Sequence, residues 1–191
     1  MALVSLTMTI PYRRCKTTAG FSAVIILLAI YLFSFILLAR DVYAEQFCAT
    51  NIPSTAANYR LRQHGEVEDS VHGWFWSRCS WGQRFENGSC IGQATALSYQ
   101  QAQQAVAAYR LSTGKAWQIP SLQQLTSSVE LACHDPAIDP SIFPNSASAN
   151  YWSSTEFINQ AQHHWLVNFV KGGNLVQADK QTAYLRMLYS P

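Results

Sequence analysis

The chain has 191 residues, with 13 Lys and Arg against 11 Asp and Glu, for a net charge of +2. Setting aside the N-terminal Arg13, Arg14, Lys16, Arg40 and Asp41 leaves nine basic against ten acidic residues from Glu45 onward, a net −1. That balance builds no basic face and speaks against a nucleic-acid partner, because neutralising phosphates takes clustered Lys and Arg.

The first predicted element is an apolar run from Phe21 to Ala39, flanked by the basic residues and followed by Val42-Tyr43-Ala44 before Glu45. A basic stretch, an apolar stretch and small residues at −3 and −1 form the layout of a secretory signal peptide, cut here after Ala44. A run of about 20 apolar residues also spans a bilayer, so an uncleaved anchor with a cytoplasmic N-terminus is the rival reading. Gly20-Phe21 resembles the cut site of type IV pilin precursors, but Ile25 stands where those carry Glu, and Cys48 and Pro53 follow quickly. Residues 1–44 are therefore expected to be a signal peptide or anchor, with membrane contact only through residues 21–39. The remainder is expected to be periplasmic, secreted or on the outer surface, or anchored to the inner membrane facing the periplasm.

Of the five cysteines, Cys15 lies in the leader, leaving Cys48, Cys79, Cys90 and Cys133. An even number in an exported chain points to disulfides, and no CxxC spacing supports a zinc or redox site. Three pairings are possible. The tight-turn dipeptide Asn87-Gly88 between Cys79 and Cys90 favours that pair, which leaves Cys48 with Cys133.

Residues 45–70 read as an extended lead-in to a domain at 71–191. Trp74-Phe75-Trp76 is a predicted buried strand. Tyr99 to Leu111 is a predicted helix, with Ala102, Ala105, Val106 and Tyr109 at helical spacing, a Ser98/Gln101 capping box and Gly114 as its stop. A second helix follows Pro120, opened by a Ser121/Gln124 box, with Leu122, Leu125 and Val129 on one face. Strands are predicted at Tyr151-Trp152-Ser153-Ser154, around Trp165, Val167 and Phe169, after a Gly172-Gly173 turn, and from Ala183 to Leu188. Central helices between antiparallel strands make an α+β domain whose terminal strands can pair.

Several ordered motifs carry a family resemblance: Cys48-x-x-Asn51-Ile52-Pro53, Trp76-x-Arg78-Cys79-Ser80-x-Gly82-Gln83, Cys90-x-Gly92, Trp117-x-Ile119-Pro120-Ser121, Ile138-Asp139-Pro140, Phe143-Pro144-Asn145, Tyr151-Trp152-Ser153-Ser154, Trp165-x-Val167-x-Phe169 and Arg186. From about Cys48 to its end the chain resembles the Lcl C-terminal domain family, a domain of unknown function named after the end of a bacterial collagen-like adhesin. The resemblance implies a C-type-lectin-like fold, related in architecture to formylglycine-generating enzymes, and for the namesake adhesin a role in binding sulfated glycosaminoglycans. Two departures are Trp117-Gln118-Ile119-Pro120, where the family usually has Trp-Arg-Leu-Pro, and the shortened turn at Gly65-Glu66-Val67-Glu68-Asp69.

Catalysis has little to stand on. His134 beside Asp135, with Ser153 and Ser154 elsewhere, makes a triad only on paper, because a triad is defined by geometry. Paired cysteines supply no thiolate nucleophile. No cofactor is expected, and a hydrolase or oxidase is the minor alternative. Asp135, Asp139 and Asn145 are weak candidates for a Ca²⁺ site, against the simpler reading of side chains capping turns. His163-His164 reads as a surface turn, since neighbours on a strand point to opposite faces. All six tryptophans follow the leader. Any left exposed would suit stacking on sugar rings, and Trp81, with Arg84 and Phe85 in the Cys79–Cys90 loop, leads Trp152 as the candidate. The expected function is a non-catalytic, adhesin-like recognition module for a glycan or a cell-surface or envelope protein; the alternative is a structural or interaction component of a cell-envelope or pilus-associated assembly.

Overall fold

A computed structural model of the protein describes residues 46–191. The apolar run, the expected cut after Ala44 and Gly20-Phe21 lie outside the described residues. Among the described residues no helix is long and apolar enough to cross a membrane.

The domain mixes helix with antiparallel sheet. β2 (Tyr59–Leu61), β3 (Glu66–Asp69), β4 (Trp74–Ser77) and β11 (Leu188–Tyr189) form a four-stranded sheet in the order β11-β4-β3-β2. Strand side chains alternate between faces. Val67, Trp76 and Leu188 are in register and fully buried on one face. The same registers put Glu66 beside Ser77, and Glu68, Phe75 and Tyr189 in one row, on the other face. Residues 45–70 are thus not a lead-in: β2 and β3 are built into the sheet, and the 3₁₀ turn at Thr55–Asn58 precedes them. The terminal strands do pair, β11 with β4. From Ala183 to Met187 the chain makes only single bridges, Ala183 to Leu97 and Tyr184 to Tyr151, because it threads between layers and is packed from both sides.

The second sheet has three strands, β8 (Asn150–Glu156), β9 (His163–Asn168) and β10 (Gly173–Ala178), in the order β10-β9-β8. Leu166 and Val167 of central β9 are both fully buried, so neighbouring positions on opposite faces are core and simple in–out alternation is lost. One face packs Trp152, Leu166 and Leu175 against α1 (Tyr99–Thr113); Tyr151 and Val167 join the core beneath the four-stranded sheet. The Ser98/Gln101 capping box forms, and Gly114 ends α1 in the left-handed region at φ 67°. The second helix, α2 (Leu122–Thr126), has its Ser121/Gln124 box but stops before Val129. The hydroxyls of Ser127 and Ser128 donate to the Gln124 and Leu125 carbonyls, and such local bonds compete with helix propagation.

Both disulfides pair as expected. Cys48–Cys133 joins the short ribbon of β1 (Phe47–Cys48) and β7 (Cys133–His134), and Cys79–Cys90 closes a hairpin loop. Between the layers lies Arg186, fully buried and, among the described residues, without a carboxylate partner. Its guanidinium donates to the Ser77 and Arg78 carbonyls and to the hydroxyls of Ser80 and Ser146, and it packs on the rings of Phe143 and Tyr151. Burial lowers its pKa from the usual arginine value. Its hydrogen bonds fasten the loop after β4 to the loop before β8.

Candidate functional site: an aromatic cleft beside the Cys79–Cys90 loop

The loop is shaped by its hairpin. β5 (Arg84–Glu86) and β6 (Ser89–Ile91) pair across the Asn87-Gly88 turn, whose φ angles of 50° and 84° suit that dipeptide. Arg84 is exposed and pairs with Glu86 at 2.9 Å. Phe85 is a structural clamp: it is half-buried, Arg78 sits 4.9 Å from its ring centre, and a Cβ added at Gly65 would lie 2.5 Å from the Phe85 Cβ. Arg78 in turn donates to the Ile142 and Ser141 carbonyls.

Trp81 is held by its backbone. Its N–H donates to the Leu185 carbonyl and its own carbonyl accepts from Thr95, both at 2.8 Å. The half-buried indole meets Tyr109 of α1 edge to face, with ring centres 6.0 Å apart. Beside this pair opens a cleft of about 330 Å³, lined by both rings and by Ser77, Gln83, Met187 and Cys79. The contacts continue as a file of rings: Tyr109 to buried Trp117 at 5.3 Å, Trp117 to Tyr189 at 4.7 Å, and Tyr189 stacked on Phe75 at 5.1 Å. Ser77 joins the two parts, lining the cleft and sharing the outer sheet face with Phe75.

Charge borders this file. The Tyr189 hydroxyl donates to Glu66 at 2.9 Å, and Lys115 pairs with Glu66 while lying 5.0 Å from the Tyr189 ring centre. The hydrogen bond to Glu66 holds the Lys115 pKa above its usual value. Burial, reinforced by Glu66, raises those of Tyr189 and Tyr109. These hydroxyls are neutral donors at physiological pH. The cleft itself offers the rings of Trp81 and Tyr109 flanked by Ser77 and Gln83, apolar faces with a few polar neighbours, while Glu66 and Lys115 border Tyr189 outside it.

Other expected site residues are arranged differently. Trp152 is fully buried, its indole N–H donating to the Leu97 carbonyl at 2.7 Å, so it is core and not a stacking platform. Asp139 caps its own turn, accepting from the Ser141 amide at 2.8 Å, and Asn145 donates to the Cys90 carbonyl at 2.8 Å. Asp135 accepts from Ser148 at 3.2 Å and pairs with His134 at 2.9 Å, and this contact with His134 lowers its pKa. Among the described residues no group of three or more His, Cys, Asp and Glu is placed to hold a metal ion. Ser153 is buried and donates to the Trp165 carbonyl.

His163 and His164 are not a surface turn. They open β9, and His164 is 5% exposed, pairing with Asp179 at 2.7 Å and stacking on Tyr99 at 3.6 Å. Asp179 lines a polar cleft of about 460 Å³ at the start of α1, with Gln100, Gln103, Gln162 and Lys180. The sequence reading missed Tyr109, Tyr189, Phe75, Glu66 and Lys115 as a surface. The spacing of Tyr109 shows only a helix face, and Tyr189 reaches Phe75 only through a pairing across more than half the chain.

No curated protein matches the sequence. The family model described as the Lcl C-terminal domain matches residues 65–188, which take in the hairpin, Trp81, Tyr109 and Arg186. The chain belongs to the Lcl C-terminal domain family.

Proposed function

We propose that this protein is an exported, non-catalytic recognition module of C-type-lectin-like fold, and that it binds a glycan through the Trp81–Tyr109 cleft. The observation that supports this best is the half-buried Trp81 indole, presented with Tyr109 in a concave surface next to a covalently closed loop. Rings fixed in place lose little conformational entropy on binding, and a few polar neighbours orient the ligand. Paired cysteines indicate an oxidising location outside the cytoplasm, which fits a periplasmic, secreted or surface-exposed domain. The net −1 of the exported part makes a sulfated polysaccharide a poorer fit than a neutral glycan.

The test is binding of the full-length protein to glycan and heparin arrays, with Trp81→Ala and Tyr109→Ala in parallel. The reading expects neutral-glycan signals that both substitutions abolish. Blank arrays would turn the assignment to a surface or envelope protein as the partner.

A further inference from the structure

The polar groups around the Trp81–Tyr109 cleft divide into those committed to the protein and those left free. The Gln83 amide nitrogen donates to the Asn145 carbonyl at 3.1 Å and to the Gly92 carbonyl at 3.4 Å, and its oxygen accepts from the Ser80 N–H at 3.1 Å. The Ser77 hydroxyl donates its proton to the Cys79 carbonyl at 2.8 Å. Amide and hydroxyl oxygens each keep a lone pair after one such bond. Gln83 and Ser77 can therefore accept from a ligand but have no proton left to give it.

The free donors are on the two rings. Among the described residues no protein group accepts from the Trp81 indole N–H or the Tyr109 hydroxyl, and neither is shut away from solvent. Met187 and Cys79 add apolar surface, and no charged side chain lines the cleft. A fitting ligand group thus presents an acceptor to the rings, a donor to Ser77 or Gln83, an apolar patch, and no net charge.

We propose, building on the glycan reading above, that the cleft selects an N-acetylated sugar and recognises it by the acetamido group. That group meets all four requirements at once. Its carbonyl accepts from the ring donors, its N–H donates to Ser77 or Gln83, its methyl covers Met187 and Cys79, and it is neutral. A free amino sugar brings a positive charge that no lining side chain pairs, and a hydroxyl in the same place leaves the apolar surface uncovered. Unmet polar and apolar groups are what let a site reject a near-identical ligand.

Titration calorimetry of the full-length protein with chitotetraose and cellotetraose tests this, because the two oligosaccharides differ only in acetamido for hydroxyl on each ring. Chitotetraose should bind about tenfold tighter or more. Trp81→Phe and Tyr109→Phe each keep a ring and delete one donor. Each should weaken chitotetraose by about fivefold and cellotetraose by much less, with the circular dichroism spectrum unchanged. Equal affinity for the two sugars, equal losses on both in the phenylalanine variants, or array signals confined to sugars without an acetamido group would overturn this inference and leave the glycan reading standing. Silence of both oligosaccharides together with blank arrays would remove the two readings at once.

Discussion

Cys48–Cys133 and Cys79–Cys90 are the same bond in two settings. The first spans 85 positions, lies on a ribbon of two short strands, and leaves Cys48 exposed. The second spans 11 positions, and both its cysteines are buried, Cys79 7% and Cys90 1% exposed. Loop-closure entropy rises with loop length, so the exposed bridge contributes more to stability. The enclosed bridge contributes less but shapes the loop that presents Trp81. Fold stability and site geometry thus rest on different bonds, and the more accessible one is farther from the cleft.

The largest expected effect comes from replacing Cys48 and Cys133 by serine. Opening a closure of that length should cost about 4.5 kcal/mol, read as a lower midpoint in guanidinium unfolding. Replacing Cys79 and Cys90 by alanine should cost less, about 3 kcal/mol, yet should alter the near-UV circular dichroism of the aromatic file more. Equal near-UV changes in the two variants would erase the distinction drawn here.

Gly65→Ala probes the enclosed region without touching sulfur. Gly65 has φ 75°, and the new methyl would collide with Phe85. Backbone strain plus overpacking should destabilise by about 2 kcal/mol or more, visible as a lower Tm. A neutral result would mean that Phe85 does not clamp the hairpin.

The smallest effect lies beside the exposed bridge. His134 holds the Asp135 pKa below the usual carboxylate value, with smaller help from Ser148 and Lys171. A depressed carboxylate stabilises the fold above its unfolded pKa, and that contribution is lost as pH falls through the folded value. In an NMR titration His134→Ala should move the Asp135 midpoint upward with little change in neutral-pH stability; an unmoved midpoint would contradict the pairing.

Much of the architecture was legible because local chemistry decided it. Ser98/Gln101 and Ser121/Gln124 announce helix starts, Asn87-Gly88 announces its hairpin, and the cysteine pairing followed from that turn. β2 and β3 were not legible. Glu66-Val67-Glu68-Asp69 offers one apolar residue to the core, Val67, and the strand is justified only by Trp76 and Leu188 on partners far along the chain. The site was half legible: Trp81 could be picked out by its place in a closed loop, but whether a tryptophan is platform or core depends on what surrounds it. Trp152 stands on β8 with its indole enclosed in the core beside α1, whereas Trp81 stands in a loop with only one side of its ring against Tyr109. Arg84 and Phe85, expected as ligand contacts, alternate along β5, so that Arg84 is exposed beside Glu86 and Phe85 is half-buried against Gly65 and Arg78.

The most direct test of this division is limited reduction of the native full-length protein, with alkylation of the freed thiols mapped by mass spectrometry over time. Cys48 and Cys133 should be labelled first, with Cys79 and Cys90 following only later. Labelling of Cys79 or Cys90 first, or of all four together, would contradict the account.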